Sequence, residues 1–362
     1  MKQQYYGIDL IRELSMCFGP SGCEDEVRRV ICEQIGDAAS VTTDKAGNLI
    51  ALVHGHGLDY KADDPDRLMV CAHMDEVGFM VREITEEGYL KFAPIGGMDP
   101  RVLCGRHVRM RDWATLGREM SAVIATKAIH MQTAEERSRV TPVNKMYMDI
   151  GAQSAEEAER YASVGDCGVF DSDFVTFGKE NTFLKGKALD GRLGCAAMIE
   201  VIRDLYNSPA DMPFDVYFAF TCRQEVGISG ASVAAHVVNP TMAWTVGATD
   251  ACDLPDIPES SRAATLGGGC VLSLADRTAL YDPALTSYAR RCAESNGIAC
   301  QIKQGLGGIS DGGRIQRSMA GIPTVSLSVP VRYPHTASVT ACLSDYTAVR
   351  ELLRVMLRSW EP

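Results

Sequence analysis

A repeated alternation of helical patterns with short apolar runs constrains the fold of this chain more than any other feature. The segment GRLGCAAMIEVIRDLY has apolar residues at helical spacing, and apolar runs follow at residues 215–222, 241–246 and 324–329. An earlier run, LMVCAH at residues 68–73, is almost continuously apolar, as expected of a strand buried on both faces of a sheet. Alternating helices and buried strands predict an α/β fold.

Residues 78–177 have a different pattern, made of short alternating segments such as FMVREI, YLKFAPI and MSAVIA. Glycine, proline and charged residues separate these segments, which is typical of a small β-rich module. We therefore predict that residues 78–177 form an inserted domain, and that residues 1–77 and 178–362 together form the main domain. Near the N-terminus, a Ser21-x-x-Glu24 capping box predicts the start of a helix over EVRRVICEQI.

Composition excludes several classes of function. The 36 basic and 47 acidic residues give a formal net charge of −11 without a basic block, which disfavours nucleic-acid and anionic-membrane partners. The 13 cysteines are odd in number and lack zinc-finger spacing, so we interpret most of them as buried thiols of a reduced, cytoplasmic protein. No apolar run is long enough to predict a membrane span.

Candidate metal ligands follow the apolar strands. His73 and Asp75 come at the end of LMVCAH, Glu225 follows the run at 215–222, and His335 lies beyond the run at 324–329. Asp190 precedes a helix whose N-terminal dipole favours a carboxylate. The carboxyl ends of strands line the crevice of open α/β sheets, so these side chains are candidates for one site.

Imidazole and carboxylate groups suit zinc, cobalt or manganese, and a catalytic zinc needs three such ligands and one open position. The set fits one ion, or two. Taken alone, each residue has an ordinary alternative: a strand-end His73 is more often a core histidine, and Asp190 and Glu225 are more often capping or surface carboxylates. Asp75, two residues after His73 on an extended strand, is placed to orient the histidine ring.

Eight motifs occur in order along nearly the whole chain: FGPSGCEDEVRRVI (18–31), DKAGNLIALV (44–53), AHMDEVGFMV (72–81), IGGMDPRVL (95–103), MDIGAQSAEEAE (148–159), KALDGRLGCAAMIEV (187–201), QEVGISGA (224–231) and VPVRYPHTASV (329–339). Through these motifs the sequence resembles the glutamyl aminopeptidase and tetrahedral aminopeptidase family of cocatalytic metallo-aminopeptidases.

The resemblance implies a phosphorylase/hydrolase-like α/β fold, in which helices flank a mostly parallel mixed sheet and an inserted β-barrel-like domain makes subunit contacts. It implies homo-oligomers, commonly dodecamers, and a peptide as substrate. The implied reaction is hydrolysis of the first peptide bond by two divalent ions about 3.5 Å apart that share a carboxylate and activate a water molecule.

Carried over residue by residue, the resemblance makes His73, Asp190, Glu225 and His335 metal ligands, with Asp190 as the bridging carboxylate and Asp75 as the partner of His73. Asp311 is implied to help shape the site. Two positions depart from the family pattern. Gln224 stands where the family has the glutamate that accepts a proton from water, and Gly247 stands where the family has an aspartate ligand.

The departures weaken the expected chemistry. A positioned general base contributes roughly 10² to 10⁴ in rate, and an amide cannot accept the proton, so about 3 to 5 kcal/mol of transition-state stabilisation is lost. Without an aspartate at 247, we expect one firmly bound ion, held by Asp190, Glu225 and His335. A rescue by Asp250, three residues further on, is a minor alternative.

Two functions therefore stay open: a metal-dependent aminopeptidase with impaired activity, and a catalytically silent homologue with a binding or regulatory role. A carbohydrate-active role, suggested only by labels given to some relatives, is weaker still.

Overall fold

The computed structural model describes residues 3–57, 59–61, 63–113 and 117–360. Residues 1, 2, 58, 62, 361 and 362 of the predicted main domain, and residues 114–116 of the predicted inserted domain, lie outside the described part. The described residues form two β-structures, an eleven-stranded mixed sheet and a closed six-stranded barrel. Numbered along the whole chain, the sheet strands are β1 (Ser40–Thr43), β2 (Leu49–Val53), β3 (Asp66–His73), β10 (Val175–Phe177), β11 (Phe183–Gly186), β12 (Phe214–Thr221), β13 (Met242–Asp250), β14 (Cys270–Leu272), β15 (Cys300–Ile302), β16 (Thr324–Arg332) and β17 (Val339–Cys342).

The barrel contains the strands β4 (Gly78–Ile84), β5 (Leu90–Ile95), β6 (His107–Arg111), β7 (Glu119–Ala125), β8 (Tyr147–Asp149) and β9 (Cys167–Phe170). They close in the order β4-β5-β8-β7-β6-β9 with antiparallel neighbours. The next strand along the chain, β10, pairs with β11 in the large sheet. The expectation of a β-barrel-like insertion is therefore confirmed.

The helices are α1 (Gly7–Met16), α2 (Asp25–Ile35), α3 (Ala134–Arg137), α4 (Ala155–Ala158), α5 (Leu189–Asn207), α6 (Ser229–Val238), α7 (Pro283–Ser295), α8 (Gly312–Ile315) and α9 (Leu343–Arg358). One core cluster joins the sheet to α1, α2, α5, α7 and α9, and a second joins its other face to α6 and α8. The predicted α/β fold with a mixed sheet between helices is thus confirmed.

The parallel strands are the central four, in the order β12-β3-β13-β16, and antiparallel strands extend the sheet on both sides. β3 shows why its sequence is almost continuously apolar. Leu68, Val70 and Ala72 pack toward α5, whereas Met69 and Cys71 pack toward α6, so both faces of the strand are buried.

The capping box predicted at Ser21 and Glu24 is wrong. Helix α2 begins at Asp25 without a side-chain cap. The hydroxyl of Ser21 instead donates to Asp75, and Glu24 accepts from the backbone N–H groups of Gly22 and Arg223. Both side chains form hydrogen bonds in the loops beside the candidate site. Only the tertiary structure brings these partners close, so a local pattern does not reveal them. Among the described residues, no helix is both long and apolar enough to cross a membrane.

Candidate metal centre

The ends of the parallel strands bring the predicted ligands to one edge of the sheet. β3 ends at His73, Glu225 lies four residues beyond the end of β12, and His335 lies three residues beyond the end of β16. Asp190 is in the first turn of α5, which packs on β3 and β13. Because parallel strands share their carboxyl edge, side chains that are far apart in sequence meet there.

The four predicted ligands converge. His73, Asp190 and Glu225 each offer one ligand atom, and these three atoms lie within 4.8 Å of one another. The Nε2 atom of His335 lies 3.5 Å from a carboxylate oxygen of Asp190 and 3.4 Å from one of Glu225. The structure thus brings together every side chain that the sequence analysis proposed as a ligand.

The electrostatics of this cluster favour a cation. The Glu225 side chain is only 5% exposed, and its Oε1 atom is buried without a hydrogen-bond partner among the described residues. Burial and the neighbouring Asp190 charge raise the pKa of Glu225 well above its usual value. Two adjacent carboxylates, one of them buried with an orphaned oxygen, and imidazole nitrogens nearby are a donor set that fits a divalent ion such as zinc.

His73 is oriented by Asp75. Its Nδ1 atom lies 3.1 Å from the backbone oxygen of Asp75 and 3.6 Å from the Asp75 carboxylate, so Nε2 is the nitrogen left to coordinate. Burial by itself would lower the pKa of His73, but the charges of Asp75, Asp190 and Glu225 outweigh this and raise it to about 10. The ring therefore lies in a strongly negative environment.

Asp75 also positions the loop that carries Glu225. Its fully buried carboxylate accepts the backbone N–H groups of Gln224 at 2.9 Å and Glu225 at 3.0 Å. Burial opposes ionisation, but the bonds from His73, Ser21 and Glu225 keep the pKa of Asp75 below its usual value. One carboxylate thus fixes the end of β3 relative to the loop after β12.

The barrel contributes to the site through the loop after β5. The backbone oxygen of Gly97 accepts a 2.6 Å hydrogen bond from Nδ1 of His335, which leaves Nε2 facing the two carboxylates. Gly96 has a φ of +85°, and a Cβ atom there would come within 3.1 Å of Glu225 Cβ. Sequence reasoning assigned no role to these glycines, although the motif IGGMDPRVL contains both.

Backbone strain accumulates around the ligands. His335, with φ of 57°, and Tyr333, with φ of 58°, occupy the left-handed region, as do Ala188 before α5 and Arg223 before Gln224. Non-glycine residues in this region cost of order 1 to 3 kcal/mol each and cluster at functional sites.

Gly247 and Gln224 lie beside the cluster. A Cβ atom on Gly247 would find no described atom within 4 Å apart from its chain neighbours, so a larger side chain has space there. The alternative rescue by Asp250 has no support: Asp250 is exposed, accepts the N–H of Cys252, and is not in the ligand cluster formed by the described residues.

A family model described as M42 glutamyl aminopeptidase matches residues 47–352 of the chain. This chain belongs to the M42 glutamyl aminopeptidase family. A putative aminopeptidase of Acetivibrio thermocellus is 33% identical over 346 residues, which cover 95% of this chain and 96% of that protein. The resemblance to the glutamyl aminopeptidase family is therefore confirmed, and this protein is an aminopeptidase.

Solved structures of two peptidases agree with this fold. The TET aminopeptidase of Thaumarchaeota archaeon SCGC AB-539-E09 superposes with a TM-score of 0.91 at 33% identity, covering 98% of this chain and 96% of that one. A Pyrococcus horikoshii TET1 peptidase, which can assemble into a tetrahedron or a large octahedral shell, gives 0.84 at 32% identity, covering 98% and 99%.

Proposed function

We propose that this aminopeptidase removes N-terminal residues from peptides with the help of one divalent ion, zinc, cobalt or manganese, held by Asp190, Glu225 and His335. The convergence of these three side chains, with His335 Nε2 3.4 to 3.5 Å from both carboxylates, is the observation that carries the proposal. Such an ion, when bound, polarises the scissile carbonyl and lowers the pKa of a water molecule.

The protein's own residues then determine how well the reaction proceeds. Asp190 and Glu225 supply the negative charge, and Gly97 holds His335 so that Nε2 faces them. Gln224, directly before Glu225, orients water through its amide but accepts no proton, so turnover is slow compared with an enzyme that has a glutamate there. The silent-homologue alternative is less favoured because all four ligand residues are kept and converge.

The proposal extends to assembly and compartment. Since one solved structure of a related peptidase contains a dodecamer and another related peptidase assembles into a tetrahedron or a large octahedral shell, we propose a homo-oligomer such as a dodecamer for this chain as well. A cytoplasmic location stays a prediction; it agrees with thirteen cysteines that are all free thiols.

Metal analysis combined with a peptidase assay tests the proposal. The protein is stripped with a chelator, reloaded with Zn²⁺, Co²⁺ or Mn²⁺, analysed by mass spectrometry for metal content, and assayed on aminoacyl-nitroanilides. We expect one tightly bound ion per chain and slow cleavage that the chelator abolishes.

Variants identify the ligands. His335→Ala should lose both the ion and cleavage, whereas His56→Ala, a histidine outside the cluster, should keep both. If the wild type cleaves the substrate no faster than His335→Ala does, the peptidase activity is rejected and the silent homologue is favoured. Two tightly bound ions would reject the single-ion site.

A further inference from the structure

A row of polar residues lies on one face of the central strands, beside the ligand cluster. In β13 and β16, Trp244, Val246, Val325 and Leu327 pack into the core toward α5. The alternate residues therefore point to the opposite face, and they are small or polar: Thr245, Gly247, Ser326 and Ser328. The registers Thr245↔Ser326 and Gly247↔Ser328 place them side by side.

This row lines a cavity of about 50 Å³ that also borders His73, Gln224 and Asp311. The cavity is therefore next to the ligand cluster, which shares His73 with it. The cavity has space at Gly247 because this residue has no side chain. A group the size of an ammonium ion or a few water molecules fits such a volume.

Asp311 is the charged residue of the cavity that the proposed reaction does not use. It is 5% exposed, and its Oδ2 atom accepts a 2.6 Å hydrogen bond from the hydroxyl of Thr221 at the end of β12. Its Oδ1 atom is buried and has no hydrogen-bond partner among the described residues. A buried carboxylate oxygen without a partner is costly, and a cationic donor in the cavity removes that cost.

The cavity suits a cationic group of the substrate better than a metal ion. Among the described residues, the ligand atoms of His73, Asp190 and Glu225 lie within 4.8 Å of one another, and Asp311 is not part of this set. An aminopeptidase needs a feature that distinguishes a free N-terminus from an internal peptide bond. A carboxylate in a small polar cavity beside the catalytic ion is suited to that task.

We propose that the cavity between Gly247 and Asp311 binds the α-ammonium group of the substrate, with Asp311 Oδ1 accepting one of its N–H bonds. The proposal rests on the proposed function, because the metal centre must hold the scissile carbonyl nearby. Gly247 contributes by leaving room for the ammonium group. Asp311 is thus a substrate-binding residue that makes the site specific for unblocked N-termini.

Binding of two hydroxamates to the metal-loaded protein tests this inference without relying on turnover. Alanine hydroxamate and propionohydroxamate both offer the same metal-binding group, but only the first has an α-amine. We expect isothermal titration calorimetry at pH 7 to show that the wild type binds alanine hydroxamate at least tenfold more tightly. In Asp311→Asn, which retains an acceptor for Thr221, this ratio should fall below threefold.

A matched control is Asp215→Asn, since Asp215 is also buried but lies at the opposite end of β12 from Thr221. It should keep the wild-type ratio. Gly247→Val, which fills the cavity, should lower the ratio as Asp311→Asn does. It provides the test if Asp311→Asn does not fold.

The possible outcomes separate the two proposals. If the wild type binds the two hydroxamates with nearly equal affinity, the ammonium site is overturned and the metal centre is not affected. The same holds if both Asp311→Asn and Gly247→Val keep the wild-type ratio of affinities. If neither hydroxamate binds, or if binding does not depend on the loaded ion, the metal centre itself is refuted and the ammonium site with it.

Discussion

At the scale of single residues, we expect the chemistry of this enzyme to depend on Gln224. Its backbone N–H donates to Asp75 at 2.9 Å and the residue is 8% exposed, so the position is anchored and largely shielded from solvent. A carboxylate and an amide have nearly the same shape, but only the carboxylate accepts a proton at neutral pH. Gln224→Glu therefore changes the chemistry at this position with little change in packing.

We predict that Gln224→Glu raises kcat about 10²-fold or more with little change in KM, because it supplies a general base next to the bound ion. Steady-state kinetics on an aminoacyl-nitroanilide, with metal content measured in parallel, check this. Gln224→Ala is the control and should be no faster than the wild type. A kcat for Gln224→Glu within twofold of the wild-type value would show that residue 224 does not face the attacking water.

At the scale of elements, a buried ion network fixes the start of α5 and hence Asp190. Glu76 accepts a 2.6 Å hydrogen bond from Lys187 and lies 3.4 Å from Arg192, and all three side chains are almost fully buried. Lys187 also donates to the backbone oxygen of Cys17, and Arg192 donates to that of Leu14, so α1 is tied to the same network. Burial lowers the pKa of Lys187 to about 8, although Glu76 opposes this shift.

Glu76→Gln should lower the free energy of unfolding by about 3 to 5 kcal/mol at pH 7, because two buried cations lose their carboxylate partner. The difference from wild type should narrow as the pH rises through about 8, where Lys187 of the folded wild type loses its proton and the ion pair with it. Urea unfolding between pH 6 and pH 9 measures both effects.

Glu294→Gln provides the comparison, since Glu294 pairs with Arg290 at 2.8 Å on the exposed face of α7. It should change stability by less than about 0.5 kcal/mol. A similarly small effect of Glu76→Gln would mean that the buried network does not hold α5 in place.

At the scale of the whole molecule, the barrel contributes a loop to the candidate metal centre and also presents exposed apolar residues. Its loop after β5 orients His335 through Gly97. Between β7 and β8, Ile129 is 71% exposed and Met131 is 64% exposed. Large exposed apolar side chains close together on a surface are typical of an interface with another protein, and we expect that partner to be a second copy of the chain.

We predict that replacing Ile129 and Met131 together by serine weakens the homo-oligomer, because apolar area is then no longer removed from water on assembly. Size-exclusion chromatography with light scattering should give a multiple of the protomer mass for the wild type and a smaller mass for the double variant. Leu280→Ser, which alters an equally exposed residue of the large-sheet domain, should leave the mass unchanged. A monomeric wild type, or a double variant of unchanged mass, would contradict the prediction.

Local patterns and the family resemblance predict much of this molecule. Apolar runs identified the buried strands, and the change of pattern at residue 78 marked the barrel. The role of Ser21 was misjudged because a capping box is a local pattern, whereas its real partner, Asp75, is 54 positions away in the chain. Gly96 and Gly97 were assigned no role because their contacts to Glu225 and His335 exist only after the barrel has closed.

The sequence by itself determined the alternation of elements, and through the family resemblance it proposed four ligand residues and two departures at Gln224 and Gly247, because these depend on residue type and local order. Only the tertiary structure decided that Nε2 of His335 faces both carboxylates, and that Asp311 shares a cavity with Gly247. The reason is physical: distances between groups separated by scores of residues are set by how the strands pair and how α5 and the barrel pack against them. No local pattern contains that information.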